Sequence, residues 1–236
     1  MPKNNNKPIK TKTNSKKNTN VTVKIFIPKF EDLWNNHPNI NGIKKACDEK
    51  NSKGLYLYDN QCAINMHYCF KKSEVNMASF KGMKCKHGFA RGAEEMANWL
   101  RYLKPFGNII TCQDFKTQET IDKENEKIKN ENEKIKIKNE NEKNKKKMKP
   151  LLAEIKEKSK NFKDEIDGKT GIIFIKDFWM RSNESDQNRS GDHIDLWNKD
   201  KLTASSMIMH EFLGFIPFTG VTRYSKNKEV WFWEMN

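Results

Sequence analysis

Apolar residues are unevenly spaced along this 236-residue chain, and where they recur their period predicts the elements. Val21 to Pro28 alternates weakly and predicts a short strand or an extended lead-in. Phe30-Glu31-Asp32-Leu33-Trp34 has the spacing of a short amphipathic helix. Asp59 or Asn60 is a suitable N-cap for an apolar-periodic run ending near Phe70, so Cys62 falls in the first turn of a second helix. The clearest helical pattern runs from Arg91 to Leu103: Ala93, Met96, Ala97, Leu100 and Leu103 share one face, and Pro105 and Gly107 end it. Ile172-Ile173-Phe174-Ile175 is an unbroken apolar run, expected as a buried strand. A polar loop from Arg181 to Asp192 leads to His193–Trp197, which alternates. His193, Asp195 and Trp197 take one face of that strand, Ile194 and Leu196 the other. Asn198 to Lys201 reads as a turn, and Val230 to Trp233 as a final strand. Helices precede strands, which predicts an α+β fold: an N-terminal helical part carrying Cys62, packed on an antiparallel sheet carrying His193.

Two stretches lack the apolar surface for a core. Residues 1–20 are dominated by Lys, Asn and Thr, with two prolines and no acidic residue, and are expected to form a disordered basic tail. From about Asp122 to Lys149 a Glu-Asn-Glu-Lys unit repeats, with Ile128, Ile135 and Ile137 too sparse for a heptad seam. The segment at about 116–167 is therefore expected as a low-complexity insertion, either a solvated helix or disordered, with Glu–Lys pairs at i,i+3 and i,i+4. The expected organisation is a single domain over 21–236, interrupted by that insertion.

The formal net charge of +14 changes this picture little. The tail contributes six lysines against no acid and the insertion a further excess, which leaves the remainder weakly basic. No basic stripe with interleaved aromatics appears, so no nucleic-acid partner is expected. No apolar run approaches the ~20 residues of a membrane span, so no membrane insertion is expected. The basic N-terminus lacks an apolar h-region, so synthesis in the cytoplasm without a signal peptide is expected. Five cysteines (Cys47, Cys62, Cys69, Cys85, Cys112) are too few for a disulfide scaffold, and their odd number leaves at least one free.

A cysteine in the first turn of a helix meets free backbone N–H groups and the positive end of the helix dipole, which stabilise its thiolate. A histidine on the polar face of a half-buried strand can complete the activation and protonate a leaving amine. Cys62 and His193 fit these roles. Asp195, ~6.5 to 7 Å along the same strand, is either the group that orients the imidazole or a solvated strand residue. Backbone N–H groups at the start of the Cys62 helix, with the Gln61 side chain, are candidates for an oxyanion hole. Cys69, Cys85 and His87 lack the ligand spacing of a structural zinc site, and neither metal nor cofactor is expected. His67 and His210 lie in or beside apolar runs and read as packing residues, as do Phe178 and Trp179.

Four strings carry a family resemblance: Asn60-Gln61-Cys62-Ala63-Ile64-Asn65-Met66, Arg91 to Leu100, Gly171-Ile172-Ile173-Phe174 and Gly191-Asp192-His193-Ile194-Asp195-Leu196-Trp197. Together they resemble the fourth family of type VI secretion amidase effectors, over about residues 25–115 and 168–236. The resemblance implies a papain-like, NlpC-type cysteine peptidase that cleaves the D-glutamate–diaminopimelate bond of peptidoglycan stems. It also implies delivery by the type VI secretion apparatus into a target cell's periplasm, and a cognate immunity protein in the producer. On the matched strings, Cys62 takes the place of the family nucleophile and His193 that of its base. The family's third catalytic position, an acid about eleven residues beyond the histidine, falls here on Ala204, beside Ser205. Either Asp195 takes over that role, or the acid is displaced along the loop, or the enzyme is a weaker member of the family. The departure also leaves open an inactive module of the same fold that binds wall peptides or a partner.

Overall fold

The computed structural model describes residues 3–17, 19–116, 118–141, 165–181, 183–185, 188–203 and 229–236. The chain is mixed α and β with antiparallel pairing. A hairpin of β1 (Lys3–Lys12) and β2 (Asn20–Ile27) comes first. The helices α1 (Phe30–Asn36), α2 (Cys62–Lys72) and α3 (Ala93–Asn98) follow. Then come β3 (Cys112–Lys116), the helix α4 (Gln118–Asn141), and the strands β4 (Thr170–Trp179), β5 (Gly191–Asn198), β6 (Lys201–Leu202) and β7 (Glu229–Glu234). The last four strands and β3 form one sheet in the order β3-β7-β4-β5-β6.

Both faces of this sheet are buried, which is why β4 reads as an unbroken apolar run. Ile172 and Phe174, with Ile194, Leu196, Trp231 and Trp233, pack against Leu33 of α1, Met66 and Phe70 of α2 and Met96 of α3. Ile173, Ile175, Trp197, Val230 and Phe232 point the other way into a second cluster with Phe178 and Ile166. Gly171 is required at the edge of the second face: a Cβ there would lie 2.2 Å from the Trp233 carbonyl oxygen and 2.8 Å from the Phe232 ring.

The N-terminal stretch departs from expectation. Lys3–Lys12, read as part of a disordered tail, is a strand paired antiparallel with β2, with a register shift between Asn5 and Ile9. The turn is closed by Thr13 N–H to Thr19 O at 2.8 Å and by a bond between the two threonine hydroxyls at 2.6 Å. Asn14 N–H donates to Ser79 O at 3.2 Å and fastens the hairpin to the domain. Backbone pairing of this kind needs little apolar content in the edge strand, because β2 supplies the buried Val23 and Ile27.

The insertion begins as the helix α4, whose described side chains include an exposed Ile137. Residues 142–164 of it lie outside the described residues, as does His210. The Arg91–Leu103 helix is in part a different object. It starts at Ala93, turns π-helical over Trp99–Leu103, and stops at Lys104 in the left-handed region (φ 45°). The buried Trp99 indole donates to Ser79 Oγ at 2.8 Å within that wider turn.

Candidate active site

Cys62 is the first residue of α2, and the loop before it is built to hold it there. Its N–H donates to Asn60 Oδ1 at 3.0 Å, an Asx turn leading into the helix. Gln61, expected to point its amide at an oxyanion, is turned the other way. Its Oε1 accepts Cys47 N–H at 3.0 Å, and its Nε2 donates to Cys47 O at 2.6 Å and Tyr58 O at 3.2 Å. Both amide atoms are thus engaged in pinning the Cys47 loop beneath the helix start. The donor at the mouth of the helix is the Cys62 backbone N–H. Lys71 and Lys72 in the last turn complement the dipole whose positive end meets the thiol.

Strand β5 brings the partner residues. The strand pairs with β4 from Thr170↔Asn198 to Ile175↔His193; a register shift then intervenes before Trp179↔Gly191. Asp177 lies within that irregularity at φ 54°. Asp192 Oδ1 accepts Asp177 N–H at 3.1 Å, and Asp192 O accepts the Trp179 indole N–H at 3.1 Å. The Cys62 thiol approaches the same carbonyl oxygen at 3.9 Å. The next residue, His193, stacks at a tilt on Phe178, with ring centroids 5.1 Å apart. Both Cys62 and Asp195 act electrostatically on its ring.

His193 Nε2 stands 3.6 Å from Asp195 Oδ2, an ion-pair contact longer than a hydrogen bond. The carboxylate is 2 % exposed and well held. Oδ1 accepts Leu196 N–H at 2.8 Å and the Thr203 hydroxyl at 2.7 Å, and Oδ2 accepts Thr203 N–H at 3.2 Å. Thr203 Oγ1 in turn accepts Asn39 Nδ2 at 2.9 Å. Asn39 Oδ1 accepts Asn65 Nδ2 of α2 at 3.3 Å, so the network returns to the helix that carries Cys62.

The electrostatics favour charge separation. Burial works against a charged His193, but Asp195 and the Cys62 sulfur outweigh it, and its pKa is pushed up to about 10. Burial likewise opposes ionisation of Asp195, yet His193, His37 and Thr203 hold its pKa below the ordinary carboxylate range. An imidazolium beside a cysteine sulfur and a carboxylate is an arrangement suited to nucleophilic acyl transfer.

Sequence reasoning brought Cys62, His193 and Asp195 forward; His193 Nε2 lies 3.6 Å from Asp195, and Cys62 Sγ lies 3.9 Å from the carbonyl oxygen of Asp192, the residue before His193. It missed Thr203, Asn39 and above all His37, whose Nε2 lies 3.6 Å from Asp195 Oδ1. The only trace of His37 in the chain is its place before Pro38 at the end of α1. The position expected for a family acid, Ala204, lies outside the described residues. Cys69, Cys85 and His87 are not brought together. Cys69 is buried in the helix core and donates to Leu33 O at 3.1 Å, Cys85 packs in a separate cluster with Cys47, and His87 pairs at the surface with Asp48 at 2.8 Å. All five cysteines are free thiols. Among the described residues no group of three or more His, Cys, Asp or Glu side chains is gathered to hold a metal ion. Nor is any of their helices long and apolar enough to cross a membrane.

Residues 120–233 match the family model of Tae4, the type VI secretion system (T6SS) amidase effector protein 4. The match supports placing the chain in the Tae4 family. It spans β4, β5 and β6 with most of β7, and so includes His193, Asp195 and Thr203. It covers just under half of the chain, and Cys62 and His37 fall outside it. The Tae4 description is that of an amidase effector, a hydrolase delivered by a secretion system. No curated protein matches the chain.

Proposed function

We propose that the protein is a Cys-His peptidoglycan amidase of papain-like, NlpC-type architecture that cleaves the D-glutamate–diaminopimelate bond of peptide stems. It acts as a secreted antibacterial effector in a target cell's periplasm and is restrained in the producer by an immunity protein. The observation that supports the reading is His193 Nε2 at 3.6 Å from the buried Asp195 carboxylate, with the Cys62 sulfur at a helix start 3.9 Å from the carbonyl oxygen of the preceding residue, Asp192. The Tae4 match supports the amidase class.

The chemistry follows from that geometry. With Nε2 of His193 facing Asp195, Nδ1 is left for the sulfur, and the proton shared between them rests on the imidazole. The Cys62 thiolate attacks the D-glutamyl carbonyl carbon, and the developing oxyanion is received by the Cys62 N–H, which exchanges Asn60 Oδ1 for it. His193 gives its proton to the diaminopimelate nitrogen as the C–N bond breaks, leaving a thioester on Cys62. A water then attacks the thioester, His193 takes its proton, and the acid product departs with the thiol restored. Asp195 keeps the imidazole in the required orientation throughout.

The bond is tested on a defined peptide, L-Ala-γ-D-Glu-diaminopimelate-D-Ala, with products identified by mass. The reading predicts L-Ala-D-Glu and diaminopimelyl-D-Ala. Release of D-Ala alone, or of L-Ala alone, would assign the enzyme to a different bond of the stem.

A further inference from the structure

The imidazole of His37 is buried beside the acid that faces His193, and one of its nitrogens is unsatisfied. His37 closes α1, its backbone N–H donating to Trp34 O at 3.2 Å and its own backbone extended ahead of Pro38. Its residue exposure is 1 %. Nδ1 accepts the Asn39 N–H at 3.3 Å, so the neutral ring carries its proton on Nε2. Among the described residues Nε2 has no hydrogen-bond partner. It is aimed at Asp195 Oδ1 from 3.6 Å, the same separation that His193 Nε2 keeps from Oδ2. A buried donor without a partner is uncommon and calls for a reason.

From this we infer that His37 is a positioning residue: it donates Nε2–H to Asp195 Oδ1 as the site tightens, and so fixes the carboxylate plane that orients His193. The inference rests on the reading of Cys62, His193 and Asp195 as the working triad. Asp195 lies between two imidazoles, and its remaining donors, Leu196 N–H and both groups of Thr203, come from β5 and from beside β6. His37 alone approaches it from the helical layer with a ring nitrogen. A few tenths of an ångström convert the 3.6 Å contact into a hydrogen bond. Catalytic hydrogen bonds are commonly long without substrate and shorten when it binds.

The neighbouring charges fit a neutral donor. The ionisable groups acting on His37 are Asp195 and His193, while His193 also meets Cys62, and Cys69 senses Asp195. Burial is the largest influence on His37 and lowers its pKa; Asp195 opposes the shift and His193 adds to it. A neutral His37 donates to Asp195 without competing as a cation for the carboxylate that stabilises the His193 imidazolium.

The test reads Cys62 directly and needs no wall substrate. Iodoacetamide alkylation of Cys62, followed by peptide mapping, is measured against pH in the wild type, in two donor-free variants, His37→Phe and His37→Met, and in His37→Gln, whose amide nitrogen replaces Nε2. Thermal melts show that each variant is folded. The wild-type dependence of the alkylation rate on pH is the reference profile. In the donor-free variants that profile should move up by about one pH unit, roughly a tenfold slower rate on the acid side, and His37→Gln should restore it. If a folded donor-free variant overlays the wild type, or His37→Gln is displaced as far as they are, His37 is a packing residue and the inference is wrong while the triad stands. If His193→Ala, folded, leaves the Cys62 profile where it is in the wild type, the triad reading falls and the inference falls with it.

Discussion

Gly191 lies against Trp179 so closely that a Cβ on the glycine would come within 2.4 Å of the indole ring and 2.5 Å of the Trp179 carbonyl oxygen. The same indole holds the Asp192 carbonyl oxygen that the Cys62 sulfur approaches at 3.9 Å. Backbone contact on one side of the strand thus sets the position of His193 on the next residue. Gly191→Ala must displace backbone or ring, at a cost of about 1–3 kcal/mol. A lowered melting temperature is expected, with a larger loss in kcat than in KM. Unchanged kcat in a folded variant would show that the Trp179 contact does not place the site.

Replacing Asp195 removes the group that favours a charged His193. Asp195→Asn keeps the shape, so the fold should survive. The active ion pair is lost at high pH when the imidazolium gives up its proton, near the His193 pKa of about 10. Without the carboxylate that pKa falls, so the alkaline limb of kcat/KM should move to lower pH, and the rate at neutral pH should drop by about 10²-fold or more. An alkaline limb that stays in place would mean that Asp195 does not set the protonation of His193.

Gln61 supports Cys62 from below and does not touch the reacting atoms. Gln61→Ala leaves the buried Cys47 N–H and C=O without their partner, each costing about 1–3 kcal/mol. Denaturant titration should show the stability loss, while the pH profile of the remaining activity keeps its shape. A stable variant with a distorted pH profile would instead return Gln61 to the catalytic machinery.

His67 makes the fold acid-sensitive. Its Nδ1 accepts Ala90 N–H at 3.0 Å, and burial, followed by Lys84 and Lys71, lowers its pKa to about 4. The native state therefore resists protonation that the unfolded chain, titrating near 6.5, accepts. The stabilisation is complete above pH 6.5 and is lost as pH falls toward 4, by about 3 kcal/mol at most. His67→Asn, which keeps an acceptor near Nδ1, should lose less stability between pH 7 and pH 4.5 than the wild type in urea titrations. Equal losses would show that His67 titrates normally.

Much of this architecture is legible in the chain because the sheet and helices use strong periods. The run Ile172–Ile175 lies in a strand covered on both faces, and His193–Trp197 alternates because its two faces meet different clusters. The start of α2 is one residue later than the cap expected at Asp59 or Asn60: Gln61 takes the N-cap place, and Asn60 makes an Asx turn to Cys62 N–H. What stayed hidden depends on backbone pairing or on contacts across the fold. Strand β1 is polar and held by its ladder with β2, and β3 is a five-residue edge against β7. Thr203 and His37 reach Asp195 from distant points in the chain, and no local pattern distinguishes them from ordinary polar residues. Gln61 has a residue type suited to an oxyanion role, and only its engagement with Cys47 reveals the structural one.

The central claim is that Cys62 is the nucleophile of a peptidoglycan amidase. It is tested most directly by digesting purified Gram-negative sacculi with wild type and Cys62→Ala under reducing conditions and identifying the fragments by mass spectrometry. The account predicts D-glutamate–diaminopimelate cleavage by the wild type and a near-blank digest with the variant, since loss of a positioned nucleophile removes several orders of magnitude in rate. Intact sacculi in both digests, from folded protein, would contradict it and leave a module of the same fold that binds without cutting.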